Sequence, residues 1–109
     1  LDEDLAGQAA EKGARLLRGL REVHRRHPRV IADVRGLGLL VGVEATSEGA
    51  GGMLMAELFE RKVLAVYTLN NQRVIRLEPP LNVPEEALDR VVNALGEAAV
   101  KVDQVVEEL

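Results

Sequence analysis

At 109 residues, 47% hydrophobic and only 2% aromatic, the chain should form a single domain over residues 1–109 with a core of Leu, Val, Ile and Ala. Its net charge of −4 argues against the broad positive surface that nucleic-acid binding requires. The absence of cysteine excludes disulfides, thiolate nucleophiles and cysteine-based zinc sites. Because no apolar run approaches the roughly 20 residues that span a bilayer, we expect a soluble, cytoplasmic protein with no membrane partner.

The first predicted element is an amphipathic helix that starts near Leu5. Apolar residues recur along it at spacings of three, four and seven: Leu5, Ala9, Leu16, Leu20 and Val23. Gly13 lies on the same stripe, which indicates a close packing contact. The helix should end near His27, because the residue before Pro28 is disfavoured in the α conformation. Basic residues cluster at this predicted end, where positive charge offsets the helix dipole.

A hairpin and a short helix are predicted next. The segments 30–35 and 39–44 are rich in β-branched residues, and the glycine-containing segment 36–38 between them predicts a tight turn. Small residues at 46–52 predict a linker, after which residues 53–62 have the pattern of a short helix.

The second half of the chain predicts another strand pair and a long helix. Segments 63–66 and 74–77 are strand-like, Asn70 and Asn71 are turn formers, and Pro79-Pro80 should end the pair. A helix beginning at Pro84 then carries one apolar stripe: Leu88, Val91, Val92, Leu95, Ala99, Val102, Val106 and Leu109. The predicted fold is therefore α+β, with helices packed on a small, mainly antiparallel sheet.

Two groups of glycines are candidates for phosphate-binding motifs. They are Gly36, Gly38 and Gly42 in the hairpin and Gly49, Gly51 and Gly52 before the second helix. The first group lacks the G-x-G-x-x-G spacing of a dinucleotide site, and the second is not followed by the Lys-Ser/Thr pair of a P-loop. We interpret the first as a turn and a close backbone contact, and the second as a flexible loop.

Histidines and lysines offer little chemistry in this sequence. His24 and His27 are one helical turn apart, but no carboxylate ligand is near them in sequence, so no metal site is predicted. A Schiff-base lysine needs burial or cationic neighbours that lower its pKa. Lys12, Lys62 and Lys101 lie on predicted polar faces or at a helix end, where solvated charge is the simplest interpretation.

Arg76 is the main candidate site residue. It interrupts the apolar segment 74–77, and an arginine buried in a strand requires a counter-charge, since an unpaired buried charge costs several kcal/mol. That partner could be Glu78, a carboxylate elsewhere in the fold, or a ligand.

Three segments together resemble one known family. Segment 34–44 reads VRGLGLLVGVE, segment 63–64 reads VL, and segment 74–81 reads VIRLEPPL before the terminal helix. In order and spacing they resemble the C-terminal small domain of class III aminotransferases, and the resemblance extends from Leu5 to the last residues. The form TLNN at 68–71 is most similar to the putrescine and ornithine branch.

The resemblance implies an enzyme that transfers an amino group from an amine or amino acid to a 2-oxo acid, with pyridoxal phosphate (PLP) as electron sink. In such enzymes the PLP lysine, the acid on the pyridine nitrogen and the phosphate-binding residues belong to a preceding large domain. The parent enzyme would be a homodimer. Arg76 would meet a substrate carboxylate or a glutamate of the large domain, while the chain alone would be inactive.

Two alternatives compete with this interpretation. A stand-alone regulatory module could bind a small molecule with the same α+β fold, because fold alone does not decide function. A structural dimer through the terminal helix would use its near-heptad stripe. The chain begins at Leu1 rather than Met, which permits a longer natural polypeptide, although a tag remnant or processing would give the same start. The matched segments favour the aminotransferase interpretation.

Overall fold

The computed structural model describes residues 2–37, 40–63, 65–68, 71–77 and 84–109. Its elements are α1 (Asp2–Arg26), β1 (Ile31–Leu37), β2 (Leu40–Ala45), α2 (Glu48–Glu60), β3 (Ala65–Thr68), β4 (Asn71–Leu77) and α3 (Glu85–Asp103), followed by a 3-10 turn (Val106–Glu108). The described strands form one sheet in the order β1-β2-β4-β3, and each neighbouring pair is antiparallel. The predicted α+β fold is confirmed.

One face of the sheet carries the hydrophobic core. Alternate residues point to the same face of a strand, and Val41 and Val43 of β2 join Ile75 and Leu77 of β4 in the buried cluster. The helices contribute Leu16, Leu20 and Val23 of α1, Ala50, Leu54 and Leu58 of α2, and Leu88, Ala94, Leu95, Ala98, Ala99 and Val102 of α3. The opposite side of the sheet, called the open face below, therefore does not take part in this core.

The second helix begins earlier than the sequence suggested. The Ser47 side chain accepts a hydrogen bond from the Ala50 backbone N–H at 3.0 Å, and this N-cap starts α2 at Glu48. The predicted linker at 46–52 and the flexible loop assigned to its glycines are therefore wrong, because those glycines lie in the first two turns. Burial of Ala50 and Gly51 offsets the cost of about 1 kcal/mol per helical glycine.

The turn of the first hairpin also differs from the prediction. Gly36 and Leu37 remain in β1, where they pair with Val41 and Leu40, so a turn over 36–38 is wrong for these two residues. The residues that join the strands, 38 and 39, lie outside the described ranges, as do Asn70 and the Pro79-Pro80 pair. The second strand pair and a helix after Pro84 are confirmed, although β3 lies two residues later than predicted. The turn predicted at Asn71 is wrong, because β4 begins there, and α3 ends at Asp103 rather than continuing through Val106 and Leu109.

Helices α1 and α3 approach closely at Gly19. A Cβ atom built on Gly19 would lie 2.6 Å from Cγ2 of Val92, which real Cβ atoms essentially never show, and 3.0 Å from its Cγ1, which is also tight. Four residues earlier on α1, Arg15 forms ion pairs of 2.8 Å with both Glu85 and Asp89 of α3. The missing side chain thus permits the close approach, and the ion pairs lie beside it.

A second link joins the carboxyl ends of α1 and α3. His27 Nδ1 lies 2.9 Å from Asp103 Oδ2, and Arg29 donates to Asp103 Oδ1 from Nη2 at 2.7 Å and from Nε at 3.0 Å. These hydrogen bonds, first that of His27 and then those of Arg29, hold the pKa of Asp103 below its ordinary value.

Removing this carboxylate should weaken the fold in a pH-dependent manner. A lowered folded-state pKa means that the stabilisation by Asp103 is present above about pH 4 and is lost as the pH falls through the folded-state pKa. We expect Asp103→Asn to lower the free energy of unfolding by about 1 kcal/mol at pH 7, and this difference should shrink at pH 3. Urea unfolding at both pH values measures it. A control is Glu60→Gln, since Glu60 has no ion pair within the described residues; equal losses in both variants would contradict the prediction.

Candidate functional site

Arg76 is the next-to-last residue of β4 and lies on the open face of the sheet. Its strand neighbours Ile75 and Leu77 are buried in the core, so the alternation of the strand turns Arg76 the other way. Arg76 pairs with Gly42 on β2 and with Val66 on β3. The side chain is exposed, so the prediction of a buried arginine is wrong. It nevertheless makes an interaction in this structure.

A second arginine lies on the same face two strands away. Arg35 of β1 pairs with Gly42, and its Nη1 donates to Asp33 Oδ2 at 2.8 Å and to Glu44 Oε1 at 3.1 Å. Hydrogen bonds to Glu44 and then to Asp33 raise the pKa of Arg35 above its usual value. The open face therefore holds two arginines and two carboxylates in neighbouring positions, and Arg35 is fixed by its acidic neighbours.

Val74 is a buried apolar residue on the open face. Its side chain lies on this face, opposite Glu44, and it is outside the core cluster. Yet Val74 is only 8% exposed. The open face thus combines charged side chains with two valines, the buried Val74 and the partly exposed Val66.

The sequence contains a signal for the polar residues of the open face, namely their alternate spacing along each strand. Asp33 and Arg35 are two residues apart in a strand, and alternation places such residues on one face. Glu44 has the same relation to Gly42 on the neighbouring strand. What the sequence could not supply was the register that pairs Arg35 and Arg76 with the same glycine.

The lysines do not form a reactive site in this structure. Lys62 and Lys101 are exposed and Lys12 is partly exposed, in agreement with solvated charge. Lys62 has a positive φ of 63°, a left-handed conformation at the end of α2 that costs a non-glycine residue about 1 kcal/mol. Within the described ranges no polar or charged residue is buried, so these residues do not provide the enclosed lysine that a Schiff base requires.

The histidines take part in contacts within the fold. His27 lies against Asp103, so a carboxylate far away in sequence is close in space. Among the residues that the structure describes, no group of three or more His, Cys, Asp or Glu side chains could hold a metal ion. Over the same ranges, no helix has both the length and the apolar character needed to cross a membrane.

Comparisons with known proteins identify the family. The family description "Aminotransferase class-III" matches residues 1–99. Among solved structures, a transaminase from the marine bacterium Virgibacillus is 30% identical and superposes with a TM-score of 0.81 over 94% of this chain and 26% of its own. An ornithine aminotransferase from Plasmodium yoelii is 26% identical, with a TM-score of 0.79 over 92% of this chain and 26% of its own.

A further solved structure, a transaminase with L-alanine, is 25% identical with a TM-score of 0.81 over 94% of this chain and 26% of its own. The fold is thus that of a region of solved transaminases. The chain belongs to the class III aminotransferase family. It spans about a quarter of the length of the solved transaminases that it matches.

Class III aminotransferases generally use PLP, and the described residues offer few groups that fit this cofactor. Three lysines are available, and none of them is enclosed. The two arginines of the open face could meet an anion, but Arg35 is already held by two carboxylates. The described residues do not form a PLP site, so no chemical step of this chain is derived through the cofactor.

Proposed function

We propose that residues 1–109 are the C-terminal small domain of a longer class III aminotransferase. The parent enzyme transfers an amino group from an amine or amino acid to a 2-oxo acid, and a large domain outside these residues binds PLP. The observation that carries this proposal is the combination of a family match over residues 1–99 with coverage of only 26% of the matched transaminases. A region of this size without an enclosed lysine is inactive by itself.

Within that enzyme, Arg76 binds the substrate carboxylate or a glutamate of the large domain. Its exposure on the open face supports this role, because a group that meets a ligand or another domain must point away from the core of its own domain. A planar guanidinium forms two parallel charge-assisted hydrogen bonds with a carboxylate, which fixes the orientation of the bound group as well as its position. Arg76 is thus proposed to bind and orient, and no proton transfer is assigned to it.

The proposed amino donor is of the putrescine or ornithine type. The TLNN segment at 68–71 supports this placement, and a solved relative at 26% identity bears the name ornithine aminotransferase. We further propose a homodimeric parent enzyme that works in the cytoplasm on small-molecule substrates.

A labelling experiment tests whether the lysine that binds PLP lies outside residues 1–109. The full-length polypeptide is incubated with PLP, reduced with borohydride and digested, and the modified lysine is located by mass spectrometry. We expect one stoichiometric label, on a lysine outside residues 1–109, because a PLP lysine needs an enclosed site. The unreduced sample is the control. Stoichiometric labelling of Lys12, Lys62 or Lys101, or a complete lack of PLP binding, would overturn the proposal.

A further inference from the structure

We propose that Gly42 determines substrate specificity: its missing side chain leaves a slot on the open face, beside Arg76, that receives the carboxylate end of an amino acid or 2-oxo acid substrate. This inference rests on the proposed function and deepens it. It concerns a residue that does not itself carry charge, and it follows from the register of the sheet and from the space around Gly42.

The register places four residues in one row across the sheet. Arg35 pairs with Gly42, Gly42 pairs with Arg76, and Arg76 pairs with Val66. Neighbouring strands lie about 4.8 Å apart, so the backbones of the two arginines are about 10 Å apart with the glycine between them. Directly paired residues point to the same face, so the gap at Gly42 opens toward the same side as both guanidinium groups.

Packing within the chain does not require a glycine at this position. A Cβ atom on Gly42 would meet Val74 Cγ1 at 3.7 Å and the Arg35 carbonyl oxygen at 4.0 Å, which are ordinary van der Waals distances. No left-handed φ is found there either. Because glycine weakens a strand interior, a glycine that packing does not need is typical of a place where a ligand or another chain approaches closely.

The charges beside the slot favour a carboxylate at Arg76. Arg35 donates to Asp33 and Glu44, which largely neutralises that side of the row. Arg76 also has an interaction in this structure, but a guanidinium group offers five N–H donors and can serve a second acceptor. A substrate carboxylate lying over Gly42 would thus meet the positive charge of Arg76 on one side. On the other side it would meet Arg35, whose charge is largely balanced by Asp33 and Glu44. An amine without a carboxylate would gain nothing from this slot.

The test uses the full-length holoenzyme. Its half-reaction with an amino acid donor is compared with that with a diamine, and each reaction is monitored by the change in PLP absorbance. Gly42→Val fills the slot with a side chain that suits a strand. We expect the half-saturation concentration for an amino acid donor to rise at least about tenfold, while that for a diamine without a carboxylate changes less than about twofold. Gly42→Ala should give an intermediate shift. Ala32→Val, at an exposed position of β1, is the matched control and should change neither.

The outcomes separate this inference from the proposed function. If the full-length protein shows no half-reaction with any donor, the proposed function fails and the inference fails with it. If the wild-type enzyme is active but Gly42→Val affects both donors equally, or affects neither, the role of Gly42 is overturned while the aminotransferase function stands. Thermal unfolding and the PLP content of each variant show that the comparison is between folded holoenzymes.

Discussion

Replacing Gly19 with Leu is expected to lower the free energy of unfolding by about 2–3 kcal/mol. Any Cβ on Gly19 would approach Val92 Cγ2 to 2.6 Å, and a β-branched valine in a helix has one strongly preferred χ1 rotamer, so it cannot turn aside cheaply. The two helices must therefore separate, which loosens the packing of Leu16 and Leu20 nearby in the core. Urea unfolding followed by circular dichroism measures the loss.

Two variants make this prediction specific. Gly7→Leu is the same substitution in the same helix, at an exposed position where an added Cβ meets nothing within 4 Å, so it should stabilise the chain by up to about 1 kcal/mol through helix propensity. Adding Val92→Ala to Gly19→Leu should restore part of the loss, because it removes the two methyl groups in the way. Equal stability of the Gly7→Leu and Gly19→Leu variants would refute the close approach of α1 and α3.

The second large effect is expected on activity. In the full-length enzyme, Arg76→Lys should lower kcat/KM by about 10- to 100-fold for substrates with a carboxylate, while PLP stays bound. An ammonium group keeps the charge but cannot form two parallel hydrogen bonds, and a lost charge-assisted bond is worth about 1.5–3 kcal/mol. Steady-state kinetics give the loss, and the absorbance of the bound cofactor gives the PLP content.

Arg73→Lys provides the matched control for this variant. Arg73 belongs to the same strand and is also exposed, but it is three residues away and so lies on the opposite face of β4 from Arg76. Its replacement should leave kcat/KM within about twofold of the wild type. Unchanged turnover in the Arg76→Lys enzyme would remove Arg76 from the site, and loss of PLP in that variant would assign it a structural role instead.

The long elements were predictable because each carries its own repeated signal. The apolar residues of α1 and α3 recur with helical spacing over many turns, and both helices lie where the sequence indicated. The start of α2 was predicted too late because it depends on a single hydroxyl group. Ser47 caps the helix, so the three glycines that follow lie within α2. Glycine counts alone suggested a loop, since the burial that compensates for their flexibility depends on the rest of the fold.

The site was predicted less completely than the fold. Arg76 was found from its position in an apolar strand and from the family resemblance, but its exposure was not, because a single strand does not reveal which of its faces joins the core. Arg35 and Gly42 were overlooked as site residues, since only the strand register brings them into one row with Arg76. On α1, Gly13, the predicted packing position, is buried, and the close contact with α3 described above is at Gly19.

The polar open face has a practical consequence for work on this region of the protein. A large exposed sheet face promotes aggregation when it is apolar. Here that face carries the charged residues Asp33, Arg35, Glu44 and Arg76 beside Val66, which is 45% exposed. Water solvates these charged groups, so this face should be less prone to aggregation than an apolar sheet face would be.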